Sequence, residues 1–171
     1  MAELAAAADI PFVLYDRHGW DHGVFVPVAV SWPEADMPLV AVSLRQGLDP
    51  AHHIAFGEAM APLRDENVAI IGSGLSIHDL SFRVTPEEAT AFDQWLEQTM
   101  SSPRDQRAER LARWSEAPGG RASHPREEHL LPLMVITGAG ADDPVERSYT
   151  DDTFGLPVAA FAFSPRTPEA A

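Results

Sequence analysis

Residues 68–80 read VAIIGSGLSIHDL, and the architecture follows from how that stretch is taken. Val68–Ile71 is an apolar run with no polar interruption, the pattern of a strand covered on both faces. Gly72 and Gly74 end it in a turn, and the next strongly polar side chain is His78. In α/β proteins that position, at the carboxyl end of a sheet strand, is where sites are built. "MPLVAVSL" (37–44) repeats the buried pattern, and "IPFVLYD" (10–16) and "LPVAAFAFSP" (156–165) add two more β-rich runs. Helical stretches lie between them. "ELAAAA" (3–8) reads as the end of a helix, and "VFVPVAVSW" (24–32) as a buried segment able to open one, after a polar loop at "GWDHG" (19–23). Asp49-Pro50 is a start signal for a helix in 49–67. Thr85, Pro86 and Glu88 give "TPEEATAFDQWLEQTM" (85–100) a capping box. "RDQRAERLARWSEA" (104–117) is an Arg-rich helix whose charges form a solvated face. "REEHLLPLMVITGAGA" (126–141) is a short helix ending at Gly138 or Gly140, and "DDPVERSYTDDTFG" (142–155) an exposed acidic turn or hairpin. Strands alternating with helices predict an α/β fold, a central mostly parallel or mixed sheet flanked by helices.

Composition narrows the chemistry. A chain of 171 residues suits one domain with a sizeable core. With 26 acidic against 12 basic residues and a net charge of −14, nucleic acid is excluded as a partner. No apolar run approaches the length of a membrane span. The N-terminus carries Glu3 and Asp9 and lacks the cationic start of a secretory signal, which points to the cytoplasm. There is no cysteine, hence no thiol nucleophile or Cys-ligated metal. There is no lysine either, which removes a Walker A loop and Schiff-base chemistry. The "GSGLS" and "GAGAD" stretches lack the spacing of a phosphate loop, a nucleophile elbow or a dinucleotide site, and read as turns.

Histidine is left as the residue to follow, because it titrates near neutrality and binds borderline metals. His78 is either a site residue at the end of the 68–74 run or a loop histidine satisfied by Asp79 or backbone. His22, in "GWDHGVFVP", either faces a ligand beside Gly23 or pairs with Asp21. His129 stands where a helix begins to bury, and a metal plus a carboxylate would supply both its nitrogens with partners. Glu127 or Glu128 could be that carboxylate or a direct ligand, and either could equally be a first-turn acid favouring the helix dipole. His124, held extended by Pro125, could bind but reads first as a loop residue, His52 and His53 read as surface residues, and His18 has no distinguishing context. Trp20, Phe25 and Trp32 could shape an aromatic pocket, but any one of them is read first as core.

Taken in order, "GWDHGVFVPV", "WPEADMPLVAVSL", "APLRDENVAIIGSGLSIHDL", "FDQWLEQ" and "HPREEHLLPLMVITGAG" resemble the C-terminal part of class III extradiol ring-cleaving dioxygenases, in the branch similar to DOPA-type enzymes. The resemblance runs from about Ile10 to Phe163. It implies non-haem Fe(II), with Zn(II) as the alternative metal, and a catechol-type aromatic and O2 as substrates. It implies His129 as a metal ligand, His78 as a general base or further metal contact, and His22, with Asp21 beside it, near the substrate; Glu128 stands beside these as a weaker candidate ligand on the reading of the residues alone. The family also has an N-terminal portion that begins the fold and supplies two more histidine ligands, the first in a "GHGSP"-type stretch that does not precede "DIPFVLYD" here. The expectation is therefore one dioxygenase-like domain over 1–165 lacking that portion, with a flexible tail at 166–171. Such a chain would be a truncated form, one half of a split enzyme completed by a partner chain or a homo-oligomer, or a non-catalytic remnant. Zinc-dependent hydrolysis on the same ligands is a further alternative.

Overall fold

The computed structural model describes residues 1–164, so the tail expected at 166–171 lies outside the described residues. Seven α-helices come first: α1 (Ala2–Ala7), α2 (His22–Ser31), α3 (Pro50–Met60), α4 (Pro86–Met100), α5 (Arg104–Ala112), α6 (Gly120–Ser123) and α7 (Leu131–Gly140). Two strands follow, β1 (Val145–Thr153) and β2 (Leu156–Phe163).

Local signals account for most of these boundaries. The Thr85 hydroxyl accepts from Glu88 N while Glu88 Oε2 accepts from Thr85 N, so both arms of the α4 capping box are formed. Asp49 caps α3, with Pro50 in its first turn. Asp21 caps α2 by accepting from Val24 N at 3.2 Å, which turns the expected polar loop into a helix start with His22 as its first residue. The strands pair antiparallel, and Thr153 faces Leu156 across a two-residue turn. Phe154 and Gly155 in that turn both have positive φ, 56° and 78°, as a right-twisting hairpin of this length requires.

The core gathers around α4. Ala89, Phe92, Leu96 and Met100 recur at helical spacing and are fully buried, with Leu111, Trp114, Leu130, Leu131 and Met134 around them. Arg147 ties the hairpin to this helix, bonding Asp93 and Glu97 at 2.9 Å each. The helices α3 and α7 cross at glycines. A Cβ on Gly57 would lie 2.0 Å from Val135 O, and one on Gly138 would lie 2.0 Å from Ile54 O.

Two further expectations need correction. The α/β class holds, but the central parallel or mixed sheet does not form. Among the described residues the sheet is the two-stranded β1–β2 ladder. The runs 10–16, 37–44 and 68–74 lie outside regular structure, and no backbone hydrogen bond joins one to another. An apolar run states a demand for burial but does not supply the neighbouring strand that a ladder needs. Here much of that apolar surface stays exposed: Val13 is 69% exposed, Val40 65% and Ile71 58%. The Arg-rich helix also departs from a wholly solvated face. Arg107 is buried, donating to Met100 O and Ala141 O at 3.2 and 3.1 Å, because it closes the ends of α4 and α7.

Candidate metal centre

The segment 74–79 runs alongside 123–129, and their close fit places the site. Leu75 N donates to His129 O at 3.0 Å, and His78 N donates to Ser123 O at 2.9 Å. Gly74 permits the approach, since a Cβ there would stand 2.2 Å from His129 O. A Cβ on Gly72 would likewise stand 2.5 Å from Pro132 O, at the first turn of α7. Beyond His78, the Asp79 carboxylate closes the loop by accepting from the backbone N–H groups of Ser81, Arg83 and Val84 at 2.9, 2.6 and 2.9 Å. Those bonds, with the Ser81 hydroxyl foremost, hold its pKa well below the usual carboxylate range.

The result is a face-to-face pair of imidazoles, His78 and His129, with ring centroids 3.5 Å apart and planes 21° from parallel. Glu128 joins them. Ligand atoms of His78, Glu128 and His129 all lie within 4.8 Å of one another, and all three residues are half-buried. Burial and the adjacent His78 lower the pKa of His129, with Glu128 opposing and His22 adding a small further lowering. A neutral imidazole with a free lone pair is what a metal requires. Glu128 Oε2 is buried without a hydrogen-bond partner, although Arg126 Nε forms an ion pair with it at 3.1 Å outside hydrogen-bonding angles. Two imidazoles and one carboxylate, whose buried Oε2 has lone pairs left vacant, fit a divalent metal of the Fe(II) or Zn(II) kind.

The other candidates fall around this set. His22 is exposed at the start of α2 and near enough to influence His129. Asp21 is engaged at the α2 cap. A groove of about 440 Å³ lined by Arg45, Leu48, Arg126, Glu127 and Glu128 opens beside the carboxylate. Trp20 and Phe25 are about half exposed, so neither is the core residue expected.

Two histidines read as unremarkable are buried. His53 donates from Nδ1 to Asp49 O at 2.7 Å and accepts Arg45 N at Nε2, so the neutral ring is satisfied. His124 has its Nε2 2.9 Å from Ser76 O. Neither carries a local signal, because the partners are backbone atoms. Burial pushes the His124 pKa down to about 4, with His78 and His129 adding to the shift and the Ser76 bond and Glu128 opposing it. An unfolded histidine titrates near 6.5. Between those values the unfolded chain binds a proton that the folded chain refuses, so stability should fall as pH drops through this window and be flat in this respect above it. Urea unfolding at pH 7 and pH 4.5 should show the native chain losing about 2–3 kcal/mol more than a His124→Gln variant. Equal losses would be incompatible with a buried neutral ring.

Comparison with known proteins gives a consistent picture. The family model for the catalytic LigB subunit of aromatic ring-opening dioxygenase matches residues 1–159. The 4,5-DOPA dioxygenase extradiol of Beta vulgaris is 38% identical over 133 residues, covering 74% of this chain and 48% of that protein. The protein of the same name from Portulaca grandiflora is 36% identical over 152 residues, covering 83% and 55%. The crystal structure of Escherichia coli K12 protein JW3007 superposes with a TM-score of 0.82 at 28% identity, over 94% of this chain and 68% of that one. The chain thus spans about half the length of the curated relatives it matches. Among the described residues no helix is long and apolar enough to cross a membrane.

Proposed function

Since this chain belongs to the aromatic ring-opening dioxygenase family of the LigB catalytic subunit, we propose that it carries part of the metal site of an extradiol dioxygenase acting on a catechol-type aromatic with O2. The observation that carries this reading is the His78–Glu128–His129 donor set within 4.8 Å. In it, His129, His78 and Glu128 hold Fe(II), and Zn(II) competes for the same donors. When bound, Fe(II) would supply redox-active, Lewis-acidic chemistry for the reaction of a catechol with O2. A ring C–C bond beside the hydroxylated carbons breaks, and both atoms of O2 enter the product.

The protein groups do the positioning and the proton handling. His22 takes a catechol proton at its imidazole and can return it later, a task suited to a histidine at the open edge of the site. Asp21 fixes the first turn of α2 and so the place of His22. The groove beside Glu128 leaves room for substrate, and the half-exposed Trp20 and Phe25 offer rings to an aromatic ligand. The names of the relatives make 4,5-dihydroxyphenylalanine the first catechol to assay, in a cytoplasmic, reducing setting.

A second reading is favoured by the exposed apolar surface of 10–16, 37–44 and 68–74. In it the chain works only when a second polypeptide or a further copy covers that surface and completes the site. Oxygen-electrode assays with Fe(II) and a panel of catechols distinguish the two. Uptake by the chain alone, absent with Zn(II) and abolished in His22→Ala, supports a self-sufficient site. Uptake per chain that rises with protein concentration, or uptake that needs an added partner, supports the second reading, and no uptake under any condition removes both.

A further inference from the structure

Three hydrogen bonds fasten the loop carrying His78 to the segment carrying His129. Two are backbone to backbone, Leu75 N to His129 O and His78 N to Ser123 O, and many side chains would be compatible with them. The third needs a particular side chain: the His124 imidazole reaches Ser76 O with Nε2 at 2.9 Å. His124 is 0% exposed and stands edge-on to two aromatic rings, Phe92 at 5.5 Å and 71°, and Trp114 at 5.8 Å and 83°. Ser76 is held from its other side, its hydroxyl accepting Ala159 N of β2 at 2.9 Å.

A carbonyl can only accept, so Nε2 carries the hydrogen and the tautomer is fixed. Nδ1 then bears the lone pair, and it is buried with no partner. A leucine would fill the same slot between Phe92 and Trp114 without that orphaned atom, so packing alone does not account for an imidazole here. Nor does His124 belong to the donor set of His78, Glu128 and His129. What the ring uniquely contributes is a rigid N–H at the correct reach, two residues from His78.

We propose that His124 is a positioning residue: its N–H, donated to the Ser76 carbonyl, sets the height of loop 75–79 and thereby lays the His78 ring on that of His129. This rests on the reading of His78 and His129 as the working pair, but its geometric content can be tested without metal. The test uses the full chain, with nuclear Overhauser effects between the His78 and His129 rings measured by NMR, and Zn(II) affinity measured by chelator competition. His124→Leu keeps the packing and removes the donor, while His124→Gln restores an amide N–H of similar reach. The expected result is that His124→Leu remains folded by circular dichroism, shows no inter-ring Overhauser effect and binds Zn(II) about 10–100-fold more weakly, as when a ligand's supporting bond is removed. His124→Gln should recover both. An undiminished inter-ring effect in a folded His124→Leu overturns the proposal. If that variant does not fold, His124→Gln decides: stacked rings in it support the donor, and separated rings in a folded chain overturn it. If the native chain shows the stacking but no Zn(II) binding, the metal reading fails, while ring stacking in the variants still tests His124.

Discussion

Replacing His129 with alanine is expected to weaken metal binding by more than about 100-fold and to abolish any oxygen uptake. Removing a group that merely supports a ligand costs 10–100-fold, and a direct donor should cost more. The substitution is clean because the structural duty of His129 lies in its main chain. Its carbonyl accepts Leu75 N at 3.0 Å, and that bond survives in alanine. The imidazole is half-buried and faces His78, so stability should change by no more than about 1 kcal/mol. Anaerobic Fe(II) titration of the two proteins, beside their urea midpoints, reads both quantities. Tight binding retained by His129→Ala would remove this residue from the donor set.

A large effect on stability is expected of Gly138→Ala. The new Cβ would lie 2.0 Å from Ile54 O and 2.8 Å from Glu58 N. Both obstacles are backbone atoms of α3, so no rotamer change relieves the clash. The helices must separate by about 1 Å or more, against a core that tolerates little overpacking. The expected loss is about 3 kcal/mol or more, equivalent to roughly 6–12 °C in melting temperature for a chain of this size. Gly19→Ala, with nothing within 4 Å of its added Cβ, is the control and should stay within about 0.5 kcal/mol. A Gly138→Ala protein as stable as the control would show that α3 and α7 do not cross so closely at these glycines.

Much of this arrangement is legible in the residues. Thr85-Pro86 with Glu88, and Asp49-Pro50, announce α4 and α3 because caps are local chemistry. Within the acidic stretch and the apolar run after it, Val145–Thr153 and Leu156–Phe163 form a hairpin, since the turn chemistry at Phe154-Gly155 is also local. The candidate donors stand out for the same reason: His129 and Glu128 are adjacent, and His78 follows a glycine-marked run. What cannot be read depends on partners distant in sequence. His124 and Ser76 are 48 residues apart, and Arg107 satisfies a carbonyl 34 residues away. The runs 10–16, 37–44 and 68–74 show the complementary failure. Their apolar character is plain, but a strand also needs a neighbour, and no neighbour is encoded within the run itself.

The fastening of 74–79 to 123–129 also turns "HPREEH" into a ruler. Its first histidine is anchored by side chain to Ser76, and its last by main chain to Leu75, so four residues must bridge two fixed points. The side chains of Pro125 and Arg126 are exposed and make neither of these two anchoring bonds, whereas an inserted or deleted residue would slide His129 out of step with His78. The length of this bridge is therefore held more tightly than the identity of the side chains at its two exposed positions.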